Sequence, residues 1–334
     1  MSERLDFIVI GAAKSGTTSL HEYLRSHPSL CLPPAKEAPF FSEDPTYQRG
    51  WDAWFGRAFP SDLQSAVYGK ITPHYMAGAP FGERVAGARY GDAPSEKVIP
   101  LRIYDLFPAV RLVAILRDPV DRCISHHQMT TFLGSEVRTL EQAVDQLLSP
   151  GALDQARQAA TDLNGYVAWG EYARILRPYY DLFGPDSIRV FFTSELDRQP
   201  GDVVRRILDF IGVDSTFVPA NHGRRYYEGS RTRRITWLDL ARLQGAASRN
   251  PAARRMWHSF PVSLRRRTAL TYEAAHYRVR MWNRVADPTP GTIDEALTQT
   301  LRAHFRSDTG DLARLIGRDV PWGAWYSGAA GATR

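Results

Sequence analysis

The chain of 334 residues has only two cysteines, Cys31 and Cys123. Two thiols make no disulfide framework, which excludes a cross-linked secreted scaffold, and buried reduced cysteines are expected. No apolar stretch approaches the ~20 residues that a membrane span requires. The opening residues Met1-Ser2-Glu3-Arg4-Leu5-Asp6 have neither the basic start nor the apolar stretch of a secretory signal. A cytoplasmic location is the expectation. No repeat or low-complexity tract is visible, and no His/Cys spacing of a zinc site, so no metal is expected. Acid is also short, with 42 Lys and Arg against 36 Asp and Glu for a net charge of +6. A basic balance suits nucleic acid, an anionic membrane or an anionic small ligand. Much of the arginine excess lies between Arg224 and Arg267, where the only acids are Glu228 and Asp239. That stretch reads as a solvated helical face or as a surface for cofactor, acceptor or membrane. It lacks regular aromatic–basic alternation and any nucleic-acid motif, so no nucleic-acid partner is expected.

What is present begins at residue 7. The run Phe7-Ile8-Val9-Ile10 reads as a buried strand, Gly11 to Gly16 as a loop, and Thr17 onward as a helix start. Such a junction aims backbone N–H groups and a helix N-terminus at one point, which makes an anion site. Gly11 and Gly16 have the spacing of a Walker A loop, but Thr17 stands where its lysine belongs, and Lys14 lies inside the loop. The wiring for Mg²⁺-dependent ATP chemistry is therefore missing.

Strands alternate with helices along the chain: strands near 6–10, 67–72, 111–116 and 187–192, helices near 17–26, 97–107, 119–132, 139–148, 166–183 and 201–212. A short helix is expected within 46–60, a mobile polar stretch over 150–161, and a mostly helical tail from about 230 with breaks at Pro251, Pro261 and 287–290. The alternation predicts an α/β fold with a central parallel sheet covered on both faces. No linker divides the chain, so a single domain is expected over 1–334, with a core of about 5–215 and a helical C-terminal part over about 230–334.

The segment Gly11-Ala12-Ala13-Lys14-Ser15-Gly16-Thr17-Thr18 resembles the 5′-phosphosulfate loop of sulfotransferases that use 3′-phosphoadenosine-5′-phosphosulfate (PAPS). Arg117-Asp118-Pro119, followed by Ser125, is similar to that family's 3′-phosphate segment. Lys36-Glu37-Ala38-Pro39-Phe40-Phe41 resembles the Lys-Glu-x-x-Phe-Phe element of its carbohydrate and heparan-type members. The resemblance is strong over roughly 5–45 and 105–215. It implies a P-loop-like three-layer fold and PAPS as sulfuryl donor. The acceptor it implies is a small molecule, carbohydrate or glycolipid, sulfated on a hydroxyl or, as the second choice, on an amine.

Sulfuryl transfer moves a planar SO₃-like group in line, so the protein positions groups and stabilises charge, as in phosphoryl transfer. The resemblance places Ser15, Gly16, Thr17, Thr18 and Ser19 at the 5′ side, with Lys14 at the bridging oxygen. At the 3′ side a guanidinium at Arg117 can grip a phosphate bidentately and Ser125, two turns on, can add a hydroxyl; the competing reading is a surface ion pair of Arg117 with Asp118 or Asp121. Arg122 reads as solvated. A base must take the acceptor's proton. The resemblance assigns this to Glu37, with Lys36 tuning it or stabilising the sulfuryl oxygens; the alternative is a loop ion pair. His74 is a second candidate base, and His126 and His127 are further histidines. His74 sits in Gly69-Lys70-Ile71-Thr72-Pro73-His74-Tyr75, where Ile71 replaces a substrate-contacting lysine of the carbohydrate enzymes. Arg224, Arg225 and Arg231, in the segment 221–231, are candidate clamps on the nucleotide. Trp51, Trp54, Tyr75, Trp169 and Tyr172 read as core or cleft lining. Two rivals stand beside this reading: a kinase-like nucleotide-dependent transferase, and a non-catalytic anion-binding module of the same fold.

Overall fold

The computed structural model describes residues 4–59, 67–81, 89–226, 230–232, 284–286 and 294–326. Five strands, β1 (Phe7–Gly11), β2 (Leu30–Cys31), β3 (Val67–Ile71), β4 (Arg111–Leu116) and β5 (Ile188–Phe192), form one sheet in the order β2-β3-β1-β4-β5. Every pairing is parallel, with Phe7 opposite Gly69 on one side and Arg111 on the other. Residues on both faces are apolar, as a doubly covered parallel sheet requires. Phe7, Val9, Val113, Ile115 and Phe191 face one layer, while Ile8, Ile10, Leu112, Ala114 and Val190 face the other. The architecture is the expected three-layer α/β fold.

The helices follow in chain order: α1 (Thr17–Leu24), α2 (Asp44–Gln48), α3 (Trp51–Ala58), α4 (Ser95–Leu106), α5 (Pro119–Leu133), α6 (Leu140–Leu148), α7 (Ala152–Gln158), α8 (Gly165–Ala168), α9 (Tyr172–Phe183), α10 (Thr193–Arg198) and α11 (Pro200–Ile211). A 3₁₀ turn spans Pro73–Met76. Leu20 and Leu24 of α1 pack with Val204, Ile207 and Leu208 of α11 on the first face. Ile99 and Ile103 of α4, Ile124 of α5 and Leu176 of α9 cover the second.

Several elements depart from the sequence reading. The single helix expected within 46–60 is two, α2 and α3, broken at Gly50 with φ 85°. The helix expected over 166–183 divides at Gly170, where an added Cβ would meet the Phe305 ring at 2.8 Å. The stretch expected to be mobile contains α7 instead. Arg157 anchors it, reaching Glu171 at 2.6 Å, and Ala160 bridges to Phe81. α10 is an additional helix, capped where Glu195 accepts the Phe192 N–H at 2.8 Å. The tail holds a 22-residue helix, Glu295–Ile316, but also an antiparallel ribbon of β6 (Ser230–Thr232) and β7 (Arg284–Ala286). The breaks expected at Pro251, Pro261 and 287–290 lie outside the described residues. Helix Glu295–Ile316 buries Leu301, Phe305 and Leu312. Its Asp308 accepts the N–H groups of Ala173 and Arg174 at 3.0 Å each, supplying from outside the cap that α9 lacks.

Candidate active site

The chain runs from β1 out to β2 and back to β3 on one side, then crosses to β4 and β5 on the other. In such sheets the ligand crevice lies outside the carboxyl ends of the strands where the order reverses. A cleft of about 1000 Å³ occurs there, lined by the loops after β1 and β4.

Gly16 ends the first loop at φ 95°, and no side chain caps α1. The first N–H groups of a helix have no intrahelical partner, so Thr17, Thr18 and Ser19 present donors to the cleft they line. Lys14 also lines the cleft and has φ 68°, a left-handed conformation that a non-glycine residue adopts at a cost of roughly 1–3 kcal/mol. Ser15, expected among the ligands, is instead a prop. It is fully buried, its N–H donates to the Ala12 carbonyl at 3.3 Å, and its carbonyl accepts the Thr193 hydroxyl at 2.9 Å.

Arg117 follows β4 and Ser125 lies two turns along α5, both lining the cleft. Asp118 starts α5 by accepting the N–H groups of Val120 at 2.8 Å and Asp121 at 3.2 Å. The Arg117 carbonyl accepts the Tyr172 hydroxyl at 2.9 Å, and its guanidinium stands 3.6 Å from exposed Asp121. Both readings of Arg117 thus meet in one residue, a cation in the cleft with a weak solvated counter-ion. Arg122 is not solvated. It is fully buried and donates to the carbonyls of Gly165 and Tyr166, fastening α5 to α8.

Segment 221–226 is laced to α1. Ser19 Oγ accepts the Tyr226 N–H at 3.0 Å, Tyr23 donates to the Arg224 carbonyl at 2.7 Å, and Asn221 donates to the Glu22 carbonyl at 3.1 Å. Arg225 lines the cleft, 3.3 Å from Asp197. Arg224 does not line it; its guanidinium lies over the Tyr226 ring, 5.2 Å from the centroid. The Arg231 side chain lies outside the described residues.

Beyond Lys14 the cleft holds Lys36, Glu37, His74 and Asp162. Lys36 Nζ is 2.8 Å from Glu37 Oε1. Partial burial pushes the Glu37 carboxyl up, but the Lys36 ammonium and then His74 outweigh it and hold the group below its ordinary range. The loop carrying this pair is tied down from behind. Lys70, buried over the Trp54 ring at 4.2 Å, donates to the Ala38 carbonyl, and Tyr75 Oη accepts the N–H groups of Phe40 and Phe41 at 3.3 and 3.4 Å. Lys70 therefore does not face a substrate, and Ile71 beside it is buried. His74 packs on Phe81 and Trp169, with ring centroids 4.7 and 5.9 Å away. His126 stacks on Trp169 at 4.8 Å and is fully buried. Of the five aromatic residues expected as core or lining, Trp169 lines the cleft, and Trp51, Trp54, Tyr75 and Tyr172 are core.

Residues 4–236 match the sulfotransferase domain family, which is more than half of the chain. The chain belongs to the sulfotransferase family. It is 30% identical over 207 residues to heparan sulfate glucosamine 3-O-sulfotransferase 3A1 of Mus musculus, covering 62% of this chain and 45% of that protein. It is 27% identical over 224 residues to a bifunctional heparan sulfate N-deacetylase/N-sulfotransferase of Drosophila melanogaster, covering 65% of this chain and 20% of that one. The chain thus spans less than half the length of these two relatives. A sulfotransferase of Alicyclobacillus acidocaldarius shares the fold, with a TM-score of 0.62 at 23% identity over 97% of this chain and 99% of that one.

Sequence reading missed Asp162, Thr193 and Ser194, which all line the cleft. Thr193 and Ser194 follow β5 directly, so the rule that ligands gather at strand ends could have found them. Asp162 sits in a polar loop with no motif, and nothing local singles it out.

Proposed function

We propose that this chain transfers a sulfuryl group from PAPS to a hydroxyl of a carbohydrate or other polyhydroxylated acceptor. One observation carries the reading: two anion seats at adjacent strand ends, the α1 start and Arg117 with Ser125, share a cleft with the Lys36–Glu37 pair. The residues fit a bisphosphate nucleotide. The α1 donors are uncapped, and Ser194 Oγ is buried on the cleft wall without a hydrogen-bond partner.

PAPS would supply the sulfuryl group and a nucleotide bisphosphate as leaving group. Thr17, Thr18 and Ser19 would hold its 5′ end through N–H and hydroxyl groups, and Lys14 would meet the oxygen on which charge builds. Arg117 and Ser125 would hold the 3′-phosphate, the guanidinium exchanging its solvated Asp121 contact for a stronger bidentate one. Glu37, ionised at neutral pH, takes the acceptor's proton as the hydroxyl attacks. Lys36 keeps that carboxylate oriented and presents an ammonium to the sulfuryl oxygens. The names of the relatives, which act on heparan sulfate, support a sugar acceptor. A cytoplasmic setting belongs to the same reading, supported by two buried free thiols.

Calorimetric titration with 3′-phosphoadenosine-5′-phosphate (PAP), ADP and ATP-Mg²⁺ tests it. PAP is expected to bind most tightly, and Arg117→Ala to weaken PAP by about 30-fold, as loss of a charge-assisted contact of ~2 kcal/mol implies, while leaving ADP nearly unchanged. Preference for ATP-Mg²⁺ would favour the kinase-like rival.

A further inference from the structure

Asp162 lines the cleft near Glu37, whose carboxyl its charge pushes up against the stronger pull of Lys36 and His74. Its turn is closed by reciprocal bonds: the Thr161 N–H donates to Asn164 Oδ1 at 2.8 Å and the Asn164 N–H to Thr161 Oγ1 at 3.2 Å. Behind it stands His126, whose Nδ1 is 3.3 Å from the Arg122 guanidinium. A guanidinium only donates, so Nδ1 accepts and the proton of the neutral ring sits on Nε2. That buried Nε2 has no hydrogen-bond partner and stands 3.9 Å from Asp162 Oδ1. The His126 ring also holds the Asp162 carboxyl below its ordinary range. The side chain is still 50% exposed, so the carboxylate stands open to the cleft it lines, with the His126 ring behind it.

The charges acting near this carboxylate are Glu37, whose own counter-ion Lys36 is 2.8 Å away, and His74. From α5 the cleft receives Ile124, Met129, Phe132 and Leu133, an apolar wall. A carboxylate accepts hydrogen bonds from hydroxyl and ammonium groups and repels carboxylate and sulfate.

We propose that Asp162 is an acceptor-binding, specificity-determining residue that selects a sugar-like acceptor whose neighbouring groups are hydroxyl or ammonium, and rejects one that is anionic there. This rests on the sulfuryl-transfer reading and separates the chain from relatives that act on a polyanionic polysaccharide.

The test compares three probes sharing an octyl aglycone, at saturating PAPS and below the pKa of the sugar amine: octyl 2-amino-2-deoxy-glucoside, octyl glucoside and octyl glucuronide. The expected order of kcat/KM is amino sugar, glucoside, glucuronide, with about tenfold between the ends. Asp162→Asn is expected to compress that range to about twofold, raising KM for the amino sugar and lowering it for the glucuronide. Asp162→Glu restores the order. A merely structural role would lower all three rates alike in Asp162→Asn, and that result overturns the proposal. Equal wild-type rates, or preference for the glucuronide, also overturn it. Where PAP binds normally, such an outcome leaves sulfuryl transfer standing. Where PAP does not bind, both readings fall.

Discussion

His126 should make this fold lose stability in mild acid, and the size of the loss follows from its surroundings. The ring is fully buried between Trp169 and Tyr166, with the Arg122 guanidinium at 3.3 Å. Burial, aided by that cation, pushes its pKa from 6.5 down to about 4. Between these values the unfolded chain carries a proton there that the folded chain refuses, so stability falls as pH falls. The contribution is intact above pH 6.5 and fully lost near pH 4. The whole shift corresponds to about 3 kcal/mol, of which about 2 is gone at pH 5. Asp308, raised to about 6 chiefly by burial, titrates in the same window with the opposite sign. Its protonated form suits the fold, so it adds stability as pH falls. The comparison must therefore be between wild type and His126→Gln, which keeps an acceptor for Arg122 and does not titrate. Urea unfolding at pH 7.5 and pH 5 should show wild type losing about 2 kcal/mol relative to the variant. Equal losses in both proteins would refute the reasoning.

Glu37→Gln should lower kcat by about 10²- to 10⁴-fold, the range for loss of a general base, with PAP affinity held within a factor of two in calorimetry. Because Lys36 and His74 hold Glu37 below its ordinary pKa of 4.5, the acid limb of kcat/KM should fall below that value, and a limb above it would refute Glu37 as the base. Arg102→Met should cost about 3–5 kcal/mol in urea unfolding, since it removes one partner of the wholly buried Arg102–Asp44 ion pair; the double variant Arg102→Met with Asp44→Leu should recover most of that loss.

The parts of the site that were legible are those whose signal is local. Phe7 to Ser19 announce strand, loop and helix within thirteen residues, because one segment both buries its apolar strand and exposes its N–H groups. Arg117 and Ser125 were legible for the same reason, since a strand end and eight following residues determine where they stand. Phe40 and Phe41 are fully buried with ring centroids 4.9 Å apart, a packing that the motif alone does not specify. Arg122 was misplaced because an arginine on an amphipathic helix is ordinarily solvated, and only the packing of α8 against α5 supplies the two carbonyls that satisfy it.

The sequence by itself therefore carried the marks of the sulfotransferase family: an anion loop without the Walker lysine, an arginine at the next strand end, and an acid beside a lysine. Tertiary structure decided how those pieces are held and what surrounds them. Ser19 meets Tyr226 across 207 positions of chain, and Thr193 meets Ser15 across 178. Asp162 has an imidazole behind it only because Arg122 and Trp169 hold His126 there. Backbone hydrogen bonds and side-chain periodicity act over a few residues and leave a readable pattern. Burial and electrostatics act through space, and which distant residues they join is known only once the sheet has closed beneath its helices.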